Sequence, residues 1–261
     1  MRYFLNDSLV HGLENLASLA LVSWLACGVG TTLAAENEGK TEKAATPAVK
    51  KSAVEKPLGL SVDDEGWNIL FDGKTLKGWK ETDFAGRGLV KVENGQITME
   101  MGNDMSGVTW TNEVLRVNYE LTLEAARLDG GDFFCGLTFP VMKDPCSLIL
   151  GGWGGGVVGL SSIGGMDASS NETTTYMNFK EGRFYKVRLR VTEARIQAWL
   201  DEKSIVDITT EGRTFSIRLE VEESQPLGVA TWRTKGALKN IKVRKLDPTE
   251  IKQSAPRKKN L

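Results

Sequence analysis

The sequence predicts an antiparallel β sandwich. Three observations point there. Apolar and polar residues alternate at period two in segment after segment, and no stretch of comparable length past the first 34 residues shows a good helical period. Leu89-Val90-Lys91-Val92-Glu93 and Gln96-Ile97-Thr98-Met99-Glu100 flank Asn94-Gly95, the pair a type I′ hairpin turn favours. Many short strands with one wet face are the pattern of antiparallel sheets packed on one side.

Each strand follows from its own alternation. The first hairpin places Val92 opposite Ile97 and Val90 opposite Met99 on the inner face. Val117–Leu123, Tyr185–Val191 and Phe215–Val221 alternate in the same way, and Leu227–Trp232 and Ile241–Leu246 add further strands. With Glu193-Ala194 as a two-residue loop, Arg190 faces Gln197, Arg188 faces Trp199 and Lys186 faces Asp201. Ile196, Ala198 and Leu200 then point inward, so Trp199 lies on the polar face beside Arg188. There it is either a platform for a sugar ring or a cation–π partner of the arginine.

The 261 residues carry a net charge of −1 and are 41% hydrophobic, enough for one sizeable core and no reason to expect nucleic acid. Residues 1–34 read as a signal peptide, with the apolar run at 16–30 and cleavage before Ala35, or alternatively as an N-terminal anchor. Export to the periplasm or the extracellular space follows from the first reading. Residues 35–57 have the charged, Ala- and Pro-bearing composition of a disordered linker. The folded domain is expected over 58–247, followed by a polar basic tail over 248–261 that is expected to fray.

The lone histidine, His11, lies in the export segment. A Ser-His-Asp triad, a Cys-His pair and His-ligated zinc are therefore excluded from the folded domain. Cys135 and Cys146 remain there as either a disulfide or two buried thiols, on neighbouring strands joined through Met142-Lys143-Asp144-Pro145.

Residues 146–165 contain eight glycines, and Gly154, Gly156 and Gly159 match the spacing of a pyrophosphate-binding loop. That motif needs a helix directly after it, and Leu160 to Asn171 is poor helix material. Glycine among strands marks a bulge or a close approach instead. Trp153 has room there to plug the core or to wall a pocket.

The string Gly66-Trp67-Asn68-Ile69-Leu70-Phe71-Asp72-Gly73-Lys74-Thr75-Leu76-Lys77-Gly78-Trp79 resembles the opening of the 3-keto-disaccharide hydrolase domain family, and Gly182–Val187 with Arg195–Asp201 is similar to its penultimate hairpin. The resemblance spans about residues 66–246. It implies a concanavalin A-like lectin/glucanase jelly roll acting on glycosides. The middle departs from the family pattern: of its Asn-Ser-Gly-Ile string only Gly136 matches, and its Tyr-Glu-x-Gln string is missing. No catalytic residue is carried over by motif.

Three functions compete. A glycoside-cleaving enzyme needs carboxylates. Asp132, Asp144, Asp167 and Glu172 lie near the glycine-rich segment, and Asp167 and Glu172 are the catalytic candidates. A non-catalytic carbohydrate-binding module would use Trp153, Trp199 and Tyr176 for stacking, with Asn171 and Arg183 for hydrogen bonds. A structural envelope domain would need the glycines for packing alone. The oxygens of 167–172 are spaced either as ligands for calcium or as a polar surface loop. One pocket bordered by Trp153, Asp167, Asn171, Glu172 and Trp199 is the expected site.

Overall fold

The computed structural model describes residues 58–255, so the expectations for residues 1–57 and 256–261 lie outside the described residues. Two antiparallel sheets pack face to face. The nine-stranded sheet runs β1 (Ser61–Val62), β2 (Asn68–Ile69), β16 (Thr234–Lys245), β7 (Tyr119–Gly130), β12 (Tyr185–Val191), β13 (Arg195–Leu200) and β14 (Lys203–Thr209). The hairpin of β4 (Val90–Glu93) and β5 (Gln96–Met99) joins it at β16. The seven-stranded sheet runs β11 (Thr175–Tyr176), β10 (Val157–Ser161), β9 (Asp144–Gly151), β8 (Cys135–Val141), β15 (Gly228–Trp232), β6 (Met105–Trp110) and β3 (Trp79–Glu81).

Alternation sorts the side chains. Leu121, Leu123, Val187, Leu189, Ile196 and Ala198 meet Leu137, Phe139, Leu148, Leu150, Leu160 and Val229 in one core. Both hairpin registers follow the sequence expectation. Val90 pairs with Met99 and Val92 with Ile97, and Asn94 and Gly95 both take positive φ. Arg188 pairs with Trp199 and Arg190 with Gln197. The opening string is structural. Asp72 accepts the amides of Lys74 and Thr75 at 2.8 and 2.7 Å, and the Trp79 indole donates to the Leu70 carbonyl at 2.7 Å.

Three expectations need correction. Phe215–Val221 is not a strand: Phe215 makes one bridge to Ile163, and Leu219–Ser224 then forms a 3-10 helix over the outer face of the seven-stranded sheet. Its Val221 packs with Phe84, Met105 and Ala230. The segment after Leu246 is not frayed throughout. Pro248–Ser254 forms a helix (α1), capped by Asp247, with Glu250 completing a capping box.

The cysteines are the third correction. They lie on adjacent strands as expected, but Cys135 faces Leu150 and Cys146 faces Phe139. A four-residue offset separates them by about 13 Å along the ladder, and a disulfide needs Cα atoms within about 7 Å. Both are free, buried thiols. Burial pushes each thiol up to about 12, so neither is a nucleophile at neutral pH.

Candidate active site

The glycine run builds a left-handed connection between β9 and β10. Gly151 has φ 79° and Gly154 φ 86°, and Trp153 between them sits at φ 48°, ψ 57°. A bulky residue rarely adopts that region without a local reason. The reason is a buried arginine. Arg127, on β7 of the other sheet, sends one guanidinium nitrogen to the carbonyls of Asp132, Gly151 and Gly155 at 2.9, 3.2 and 2.9 Å. A Cβ on Gly151 would stand 2.5 Å from that nitrogen, so only glycine lets the guanidinium in. Gly159 serves a different approach: a Cβ there would meet the carbonyls of Ala168 and Thr173 at 3.1 Å. Burial pulls Arg127 below the usual guanidinium range, yet an arginine keeps its charge in a protein.

Arg127 thereby fixes two segments beside a cavity of about 220 Å³. The cavity opens on the outer face of the seven-stranded sheet. Ser147 and Ile149 of β9, Ser161 of β10, Met105 of β6 and Trp232 of β15 line it, while their neighbours in sequence, Cys146, Leu148, Leu150 and Leu160, point into the core. Val221 closes one side, and Asp132, Phe133, Trp153, Arg218 and Glu220 complete the wall. The Asp132 carboxylate accepts the amides of Phe133 and Gly154 at 2.8 and 3.0 Å. Arg218 pairs with Asp167 at 2.6 Å and with Glu220 at 2.7 Å. Its hydrogen bond holds the Glu220 carboxyl below the usual range.

Of the expected site residues, Trp153 lines this cavity, and Asp167 reaches it only through Arg218 and the Ser161 hydroxyl. The others do not converge there. Trp199 is on β13 of the opposite sheet, covered by the Arg188 guanidinium at 3.8 Å from the ring centroid. Arg183 is on that side too, paired with Asp201 and stacked on Tyr185. Tyr176 sits exposed on the edge strand β11 and does not line the cavity. Asn171 is consumed by its own loop. Its amide donates to the carbonyls of Leu160, Met166 and Asp167, and its oxygen accepts from Thr173.

Glu172 is held by Arg213 at 2.7 Å, whose hydrogen bond keeps the carboxyl below the usual range. An acid that must hold a proton near neutral pH needs the opposite shift. In the set read as calcium ligands, Asp167 and Glu172 each face a guanidinium, and the Asn171 side-chain oxygen accepts from Thr173. Among the described residues no group of three His, Cys, Asp or Glu side chains converges.

Sequence reasoning missed Phe133, Arg218, Glu220 and Trp232. Trp232 left a signal: Gly228, Ala230 and Trp232 alternate onto one face, so two small residues clear the sheet in front of a large ring.

Aromatic rings and carboxylates gather on one outer face of this two-sheet antiparallel sandwich, and its family match makes it a carbohydrate-related domain. The chain belongs to the 3-keto-alpha-glucoside-1,2-lyase-like domain family, whose model matches residues 66–244. No curated protein matches the chain. Similar solved structures include a putative glycosyl hydrolase from Parabacteroides distasonis ATCC 8503, at 16% identity and TM-score 0.44, covering 70% of this chain and 95% of that one. The carbohydrate-binding module CBM66 from Bacillus subtilis is 12% identical at TM-score 0.40, covering 63% and 93%. The apo Crh5 transglycosylase is 12% identical at TM-score 0.49, covering 74% and 88%.

Proposed function

We propose that the domain binds a 3-keto-glycoside in the cavity beside Trp153 and cleaves it by elimination. One observation carries the reading: three aromatic rings (Phe133, Trp153 and Trp232) and two carboxylates (Asp132 and Glu220) share one cavity. Its volume of about 220 Å³ is below the ~300–1,000 Å³ of drug-sized sites, which suits a small glycoside partly exposed at the mouth. Exposed indole stacks on the apolar face of a pyranose, and carboxylate oxygens accept its hydroxyls.

The family's name supplies the reaction class. A base removes the proton on carbon 2, next to the ketone. The electron pair forms the C1–C2 double bond as the C1–O bond breaks, and the leaving oxygen takes up a proton. Asp132 is the better base of the two carboxylates. Each Asp132 oxygen accepts one neutral backbone amide, whereas both oxygens of Glu220 bond the charged Arg218 guanidinium. Hydrolysis through Asp167 and Glu172 has less support, since each is neutralised by an arginine.

A non-catalytic binding module is the second reading, favoured by the pairing of Asp167 and Glu220 with one arginine. Incubation with 3-keto-glycosides and with plain disaccharides separates the two. Elimination predicts an unsaturated keto sugar, and Asp132→Asn lowers turnover by about 100-fold or more while binding survives. A wild-type protein that binds without converting any substrate is a module. The apolar run at 16–30 supports export as the setting, and N-terminal sequencing of the secreted protein tests it.

A further inference from the structure

The cavity is divided by polarity. Its deep part is formed by Met105, Ile149 and Val221, all buried, with the buried hydroxyls of Ser147 and Ser161 between them. Ser161 spends its one hydrogen on Asp167 at 3.3 Å, and Ser147 shares a hydrogen bond with Thr138 at 2.9 Å, so this part offers acceptor lone pairs and few donors. The charged groups stand at the mouth, where the side chains of Arg218 and Glu220 are 45% and 44% exposed, and Trp153 is 44% exposed beside them.

A sugar ring needs partners for its hydroxyls. Each hydroxyl buried without one costs about 1–3 kcal/mol. Sugar hydroxyls therefore belong at the mouth, against Asp132 and Glu220. The deep part presents mainly Met105, Ile149, Val221 and Phe133, so a flat apolar group suits it better than a ring bearing hydroxyls on every side.

We infer that the preferred ligand is a glycoside with an apolar, ring-bearing leaving group, such as a phenyl aglycone, in place of a second sugar. This rests on the glycoside reading above and adds the chemistry of the group attached at carbon 1. The apolar floor selects the leaving group, and the polar mouth recognises the sugar.

The test compares phenyl α-glucoside, methyl α-glucoside and maltose on the full chain, each plain and as its 3-keto form. Calorimetry gives the dissociation constant, or kinetics the KM where turnover occurs. The phenyl compound is expected to bind at least tenfold more tightly than the methyl one, with maltose no tighter than methyl. Val221→Ser is expected to shrink the phenyl-to-methyl ratio, and free phenol is expected to compete with phenyl glucoside. Equal affinity for all three overturns the inference and leaves the glycoside reading standing, as does maltose binding tightest. If none of the compounds binds in either form, the glycoside reading fails and the inference falls with it.

Discussion

The two outer faces of the sandwich use the same materials to opposite ends. On the nine-stranded sheet many charges meet a counterpart on a neighbouring strand or turn. Buried Glu120 joins Arg190 and Arg244 at 2.6 and 3.1 Å, and Glu250 of α1 closes over the same two arginines at 3.3 and 2.7 Å. Trp199 there is covered by Arg188. On the seven-stranded sheet, loops arriving from several parts of the chain leave Trp153 without a covering partner. An exposed indole is thus no sign of a site by itself; what distinguishes the two tryptophans is whether the ring's face is already occupied.

The largest effect that would break this contrast is Arg127→Met. Three carbonyls lose their donor, and the segments bearing Asp132 and Trp153 lose their common tether. Stability should drop by about 3 kcal/mol, and glycoside binding should vanish. Chemical denaturation and calorimetry read the two effects separately. Retained binding in a folded Arg127→Met protein would show that the loop holds its shape unaided.

The two tryptophans give the next comparison. Trp153→Ala should weaken glycoside binding by about tenfold or more, as loss of a stacking platform does. Trp199→Ala should cost about 0.5–1 kcal/mol of stability and leave binding unchanged. The reverse pattern, read by titration of both variants, would move the site to the other sheet.

Acid sharpens the contrast further. The Arg244 hydrogen bond holds the Glu250 carboxyl down from 4.5 to about 2. A depressed carboxylate contributes fully above its unfolded value and loses that contribution on protonation. Stability should therefore fall as pH drops from about 4.5 to about 2, and Glu250→Gln should flatten that part of the profile. The smallest expected effect is none: chelator should leave glycoside binding unchanged, because Asp167 and Glu172 already face guanidinium groups.

The nine-stranded face was legible in the sequence because local rules govern it. Period two assigns sides, and two-residue turns set register, so Arg188 could be placed against Trp199 from residue counting alone. The cavity was not legible, since β6, the 132–133 segment, β9, the glycine loop, the 3-10 helix and β15 meet only in the folded sandwich. Arg218 and Glu220 were hidden by a false strand pattern. Phe215, Ile217, Leu219 and Val221 alternate, but Leu219 ends up 81% exposed because the chain leaves the sheet to cross it. The helix α1 is too short to show a period. Its Asp247-Pro248-Thr249-Glu250 start carries the capping-box signature, the one local cue that could have revealed it.

That helix has a consequence for how the domain resists degradation. An exopeptidase working inward past Ser254 meets a turn whose first amides are capped by Asp247 at 2.7 and 2.9 Å. To go on, it must lift the Glu250 carboxylate from Arg190 and Arg244, leaving both to share Glu120 with Arg188. Digestion should therefore halt at the helix, and β16, which follows β7 along most of its length and borders β2 and β5, stays out of reach of trimming from that end.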